Sequence, residues 1–145
     1  MKGMTIIVKK VTQLITGIIF IYGVYIILHG HLTPGGGFGG GAIIAGAFYL
    51  LILAYGSDYL SMTRKKEGSA MSESLAILAF LLFATFGLFL GLKSFFLNYL
   101  NKGTVGELIS GGVIPLYNMF IGIEVAAALI SIFFAFLIFK EELKP

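Results

Sequence analysis

The 145-residue sequence contains no cysteine. That excludes disulfide frameworks, thiolate metal sites and cysteine nucleophiles. Tryptophan is absent as well, so anchoring at a membrane–water boundary falls to tyrosines such as Tyr55, Tyr59, Tyr99 and Tyr117. Charge is scarce: 12% of residues are charged against 58% hydrophobic, whereas soluble domains carry about a quarter charged residues. A soluble fold has too little interior to hide that excess of Phe, Leu and Ile, and the bilayer is its natural solvent. The formal net charge is +3. The basic residues flank apolar runs, where lipid headgroups and the insertion machinery account for them; nucleic acid is not the expected partner.

What is present is a set of long apolar runs. A helix needs about 20 such residues to cross a bilayer. Four candidates stand out, over residues 11–29, 41–55, 75–96 and 116–139. They predict an all-α integral membrane protein, a single domain over 1–145 with a glycine-rich connection between its first and second helices. Lys9 and Lys10 before the first run resemble a signal peptide, but no small-residue cleavage site follows, so the run reads as a retained helix. The longest polar stretch, Ser57 to Ser74, reads as a solvated, charged linker. Lys and Arg divide eight to two: Lys2, Lys9, Lys10, Arg64, Lys65, Lys66, Lys140 and Lys144 fall on one side, Lys93 and Lys102 on the other. The positive-inside rule then predicts a multi-pass protein of the cell membrane with both termini cytoplasmic.

Helices in lipid associate through small residues and a few hydrogen bonds. Small pairs occur at Gly41/Ala45, Gly87/Gly91 and Gly122/Ala126. Gln13, Thr16, Gly17 and Phe20 recur at helical spacing, and this face is expected to look inward, since a lipid-facing amide goes unpaired.

Three features carry potential chemistry. The first is the run from His31 to Gly41, with Pro34, Gly35, Gly36, Gly37, Phe38 and Gly40. It contains G-x-G-x-x-G, but a dinucleotide site needs that motif after a strand, and here an apolar helix precedes it. The reading is conformational: Pro34 ends a helix, the glycines form a structural loop that allows close backbone approach, and Phe38 anchors it in a neighbouring pocket. The second is Glu124, the one acidic or basic residue between Leu108 and Phe139. A carboxylate near mid-membrane costs roughly 3 kcal/mol on insertion scales and marks ion or proton paths, or a structural contact between subunits. The third is the pair His29 and His31, candidates for proton handling and, at a helix end, for simple capping. No metal cluster, nucleophile–base pair or cofactor loop is legible, so the chain is not expected to be an enzyme by itself, and no cofactor is expected in it.

The stretch His31-Leu-Thr-Pro34-Gly35-Gly36-Gly37-Phe38-Gly39-Gly40 resembles the H-x-x-P-G-G-G-F-x-G signature of the MnhB family, a family of small subunits of Mrp-type multisubunit Na⁺/H⁺ antiporters. Pro115 to Val125, with Asn118, Gly122 and Glu124, is similar to that family's last helix. The resemblance extends over nearly the whole chain. It implies a small membrane subunit that works with other subunits to exchange Na⁺ or another monovalent cation for protons. It also implies a possible place in a membrane-bound hydrogenase-type respiratory complex, whose nickel-iron and iron-sulfur centres lie in partner subunits. Two other readings stay open. One is a purely structural scaffold subunit. The other is a free-standing small transporter, disfavoured because small four-helix exporters carry their glutamate in the first helix.

Overall fold

The structure is a computed structural model that describes residues 3–56, 62–91 and 93–142. Among these residues the only regular elements are four helices: α1 (Ile6–Leu28), α2 (Gly36–Tyr55), α3 (Met62–Phe89) and α4 (Ile114–Glu142). Each contains a stretch long and apolar enough to cross a membrane. The chain is thus all-helical and a multi-pass membrane protein.

The helices alternate in direction. The backbone N–H of Met4 donates to the Ala54 carbonyl, so the start of α1 lies beside the end of α2. Tyr49 meets Leu129 and Ile52 meets Phe134, so α2 and α4 run parallel. Ser69 meets Ala127 while Phe80 meets Tyr117, so α3 runs antiparallel to α4. One end of the bundle therefore holds the beginnings of α1 and α3 and the ends of α2 and α4. The other end holds the 29–35 and 90–113 connections. Helix α2 packs between α1 and α4, and α3 packs on the far side of α4. Consecutive helices α2 and α3 are thus separated by α4.

Helix α1 begins earlier than expected, at Ile6, and α4 is longer at both ends; three further boundaries change what packs where. Helix α2 begins at Gly36, so most of the glycine run is helix and not loop. Glycine costs about 1 kcal/mol per helical position relative to alanine. In lipid, however, every backbone N–H and C=O must be bonded, and a helix is the local way to do so. Only Pro34 and Gly35 of the named loop residues precede the helix. Gly35 (φ 129°) and Gly36 (φ 61°) turn the chain into it through backbone that glycine alone adopts freely.

Helix α3 starts at Met62, so residues 62–74 of the expected linker are helical. Its 28 residues span about 42 Å, more than the roughly 30 Å hydrocarbon core. The polar first turns project beyond the apolar layer as helix. At its other end α3 stops at Phe89, short of the expected Phe96, where Gly91 takes a left-handed φ of 79°. Gly91 is therefore outside the helix, and Gly87/Gly91 is not a helix-packing pair.

Candidate functional site

The glycine run builds a packing seam. Gly37 and Gly41 of α2 face α4, where an added Cβ would lie 2.5 Å from the Asn118 carbonyl oxygen and 2.6 Å from that of Gly122. Gly40, around the helix, faces α1 at Gly23 and Ile27. Ile27 is itself buried, with Gly122 on its other side. The small pairs Gly41/Ala45 and Gly122/Ala126 are all buried here. Phe38 corrects the sequence expectation: it points away from the seam and is 68% exposed, so within this chain it fills no pocket.

The face of α1 expected to look inward does so in part. Thr16 is buried, but Gln13, Gly17 and Phe20 are exposed. All four line a cavity of about 250 Å³ against Ala47, Phe48 and Leu51 of α2. Gln13 accepts a long hydrogen bond, 3.5 Å, from the Tyr55 hydroxyl.

The two histidines do separate jobs. His29 is the C-cap of α1, its ring tilted against Tyr25 at 4.0 Å with Nδ1 3.0 Å from the Tyr25 carbonyl. A carbonyl only accepts, so Nδ1 carries the proton and the ring closes the helix end. His31 reaches across to the 90–113 connection. Its Nε2 lies 3.4 Å from the Glu107 carbonyl, and its Nδ1 is buried without a partner. It lines a cavity of about 280 Å³ with Lys102, Gly103, Ser110 and Gly111. Among the described residues no group of three or more His, Asp or Glu gathers to hold a metal.

Glu124 stands ten residues into α4, about 15 Å from its start. It is half-buried and faces α3, lining a cavity of about 200 Å³ with Ala76, Ile77, Phe80, Phe120 and Ile121. Every other described side chain that lines it is hydrocarbon. The sequence-predicted candidates are thus not gathered into one site: Glu124 and His31 line different cavities.

Around Glu124 lie groups that the sequence pattern alone did not mark. Toward the termini end, Ser69 donates to the Ala127 carbonyl at 2.7 Å, and Ser131 donates to Ser69 at 2.9 Å. Toward the other end, Tyr117 packs against Phe80 and Phe96. Its hydroxyl and that of Tyr99 are buried without a hydrogen-bond partner. Neither hydroxyl is open to the surface of this chain, as an anchoring tyrosine's would be; Tyr59 lies outside the described residues. Glu73, assigned from sequence to the linker, is half-buried on α3 while Met71, Ser72, Ser74 and Leu75 around it are exposed. The signal was available: Ser69, Glu73, Ala76, Phe80 and Phe83 repeat at helical spacing.

A family model described as a domain related to the MnhB subunit of Na⁺/H⁺ antiporters matches residues 7–131. An uncharacterized protein of Methanocaldococcus jannaschii is 38% identical over 113 residues, which are 74% of this chain and 42% of that one. A Staphylococcus saprophyticus protein described as "Putative antiporter subunit mnhB2" is 42% identical over 55 residues, 38% of this chain and 39% of its own. Among solved structures, a chain of the membrane-bound sulfane sulfur reductase, an archaeal respiratory membrane complex, superposes with a TM-score of 0.78 at 33% identity. That match covers 92% of this chain and 58% of the other. The chain thus spans about two fifths of the curated relatives it matches.

Proposed function

The chain belongs to the MnhB family, and from that premise we propose that it is one membrane subunit of a multisubunit cation/proton antiporter module. The module exchanges Na⁺ for H⁺, either as a stand-alone antiporter or inside a respiratory membrane complex of the kind its structural relative belongs to. Its partners on this reading are other membrane subunits, the lipid bilayer, Na⁺ and H⁺. Both termini face the cytoplasm, in keeping with the excess of Lys and Arg on the termini side. Nickel-iron and iron-sulfur centres, where the parent complex uses them, sit in other subunits, since this chain has no cysteine to ligate them.

One observation carries a direct role in ion movement. Glu124 is at mid-span in a cavity whose other walls are apolar, and it makes no hydrogen bond or ion pair with a described residue. An intramembrane carboxylate costs roughly 3 kcal/mol on insertion scales, and a group kept at that cost without a partner among the described residues suits proton or cation handling. The test is Glu124→Gln in the assembled complex. The expected result is normal assembly with Na⁺/H⁺ exchange lost; unchanged exchange removes Glu124 from the mechanism.

The glycine seam favours a second role in the same subunit, as a rigid spacer that holds its neighbours. Gly37→Val is expected to block assembly. An assembled complex that fails only in transport would count against a purely structural part.

A further inference from the structure

The seam between α3 and α4 carries more polar groups than two helices need in order to pack. On α4, Tyr117, Glu124 and Ser131 follow one another at seven-residue spacing and so share a face. On α3, Ser69, Glu73, Ala76 and Phe80 share the opposing face by the same rule. The Ser69–Ala127 hydrogen bond and the Phe80–Tyr117 ring contact fix the antiparallel register. Interpolated between them, Glu73 stands about level with Glu124, one helical turn from Ala76, which lines the Glu124 cavity.

We propose that Glu73 is the second carboxylate of a proton path along the α3–α4 seam, exchanging a proton with Glu124 through water that enters the seam from the cavity beside Glu124 and Ala76. This rests on the ion-handling role of Glu124 and extends it to a residue on another helix. The column continues both ways. One turn beyond Glu73 is the Ser69–Ser131 hydroxyl pair. Two turns beyond Glu124 is Tyr117, whose ring packs against Phe96, and Tyr99 follows three residues after Phe96 in the chain. Both phenol oxygens are buried and unpartnered, and a hydroxyl both donates and accepts, as a relay requires.

The cargo is a proton and not Na⁺. A dehydrated cation needs several oxygen ligands to replace its water. Among the described residues that line the cavity, Glu124 alone bears a side-chain oxygen. A proton needs one acceptor and one bridging water, and a space of about 200 Å³ holds several waters. In the step itself, the O–H bond of the protonated carboxyl breaks as its proton passes to the bridging water. That water releases another proton to the second carboxylate, forming its O–H bond. One proton moves, one carboxylate becomes neutral, the other becomes charged, and the water is unchanged.

The test uses the intact complex in proteoliposomes, with proton flux followed by a pH-sensitive dye and Na⁺ by radiolabel. Glu73→Gln is expected to assemble and to slow proton-coupled exchange by roughly a hundredfold. The Glu73→Gln, Glu124→Gln double variant is expected to be no slower than the slower single variant, because both act in one path. Full exchange in Glu73→Gln with loss in Glu124→Gln overturns the role of Glu73 and leaves that of Glu124 standing. Full exchange in both removes the path and the reading beneath it. If Glu73→Gln fails to assemble, the wild-type complex decides. A hydrophobic carbodiimide, which captures protonated carboxyls in apolar surroundings, should modify both Glu73 and Glu124; modification of Glu124 alone overturns the proposal.

Discussion

Gly23 of α1 and Gly40 of α2 face each other, with no room for a methyl group on Gly40 and a tight fit for one on Gly23. A Cβ on Gly40 would lie 2.7 Å from the Gly23 carbonyl oxygen, and one on Gly23 would lie 3.1 Å from that of Gly40. On the Gly40 side a Cβ also meets backbone atoms of Gly23 and Ile27, which cannot yield by turning a rotamer. Gly39, one residue along, meets nothing within 4 Å. The run thus contains glycines that packing requires and one that it does not.

Gly40→Ala is therefore expected to destabilise the helix bundle, at a cost of about 1–3 kcal/mol through overpacking. Gly39→Ala should be neutral in this chain or stabilising by up to about 1 kcal/mol, through helix propensity alone. Thermal denaturation of the detergent-purified complex separates the two. Should Gly39→Ala instead prevent assembly, a neighbouring subunit occupies the open face of α2.

Tyr49 joins α2 to α4 in two ways. Its hydroxyl donates to the Leu129 carbonyl at 2.6 Å, and its ring stacks on Phe133 with centroids 4.4 Å apart. Tyr49→Phe keeps the stack and loses the hydrogen bond, for an expected cost of about 1 kcal/mol. Tyr49→Ala loses both and leaves a cavity, for an expected cost of about 3–5 kcal/mol. Equal melting temperatures for the two variants would show that the ring contact contributes nothing.

The serine pair between α3 and α4 allows a double-mutant cycle. Ser69 bonds both the Ala127 carbonyl and Ser131. Hydrogen bonds between membrane helices average about 0.6 kcal/mol. Ser131→Ala should cost about that amount and Ser69→Ala more, with a smaller effect of the second change once the first is made. Strict additivity in unfolding free energies would mean that the two hydroxyls do not meet in the membrane.

The absence of cysteine makes topology directly measurable. Lys10→Cys and Lys102→Cys each introduce a single thiol on opposite ends of the bundle, both at exposed positions. A membrane-impermeant maleimide should label Lys102→Cys in intact cells and Lys10→Cys only after permeabilisation. The reverse pattern would put both termini outside the cell.

Much of this was legible in the residues. Sparse charge and four long apolar runs already required four helices in a bilayer, because no other use of so much Phe, Leu and Ile is stable in water. The isolation of Glu124 between Leu108 and Phe139 by itself marks it as an expensive residue. The His31 to Gly40 run resembled the family that the chain proved to belong to. The sequence left undecided whether that run is loop or helix. Glycine's low propensity argues for loop, and only the close approach of α1 and α4 to Gly37, Gly40 and Gly41 makes a glycine helix worthwhile. It left Glu73 in a linker, because polar residues near the end of an apolar run read as solvated whether or not the helix continues through them. The neighbour of Glu124 was beyond its reach for the same kind of reason. Which face of α4 meets α3 depends on the order in which the helices pack, and here α4 stands between α2 and α3. That order is set by which surfaces fit at backbone distance, a property of three helices together and of no single stretch of chain.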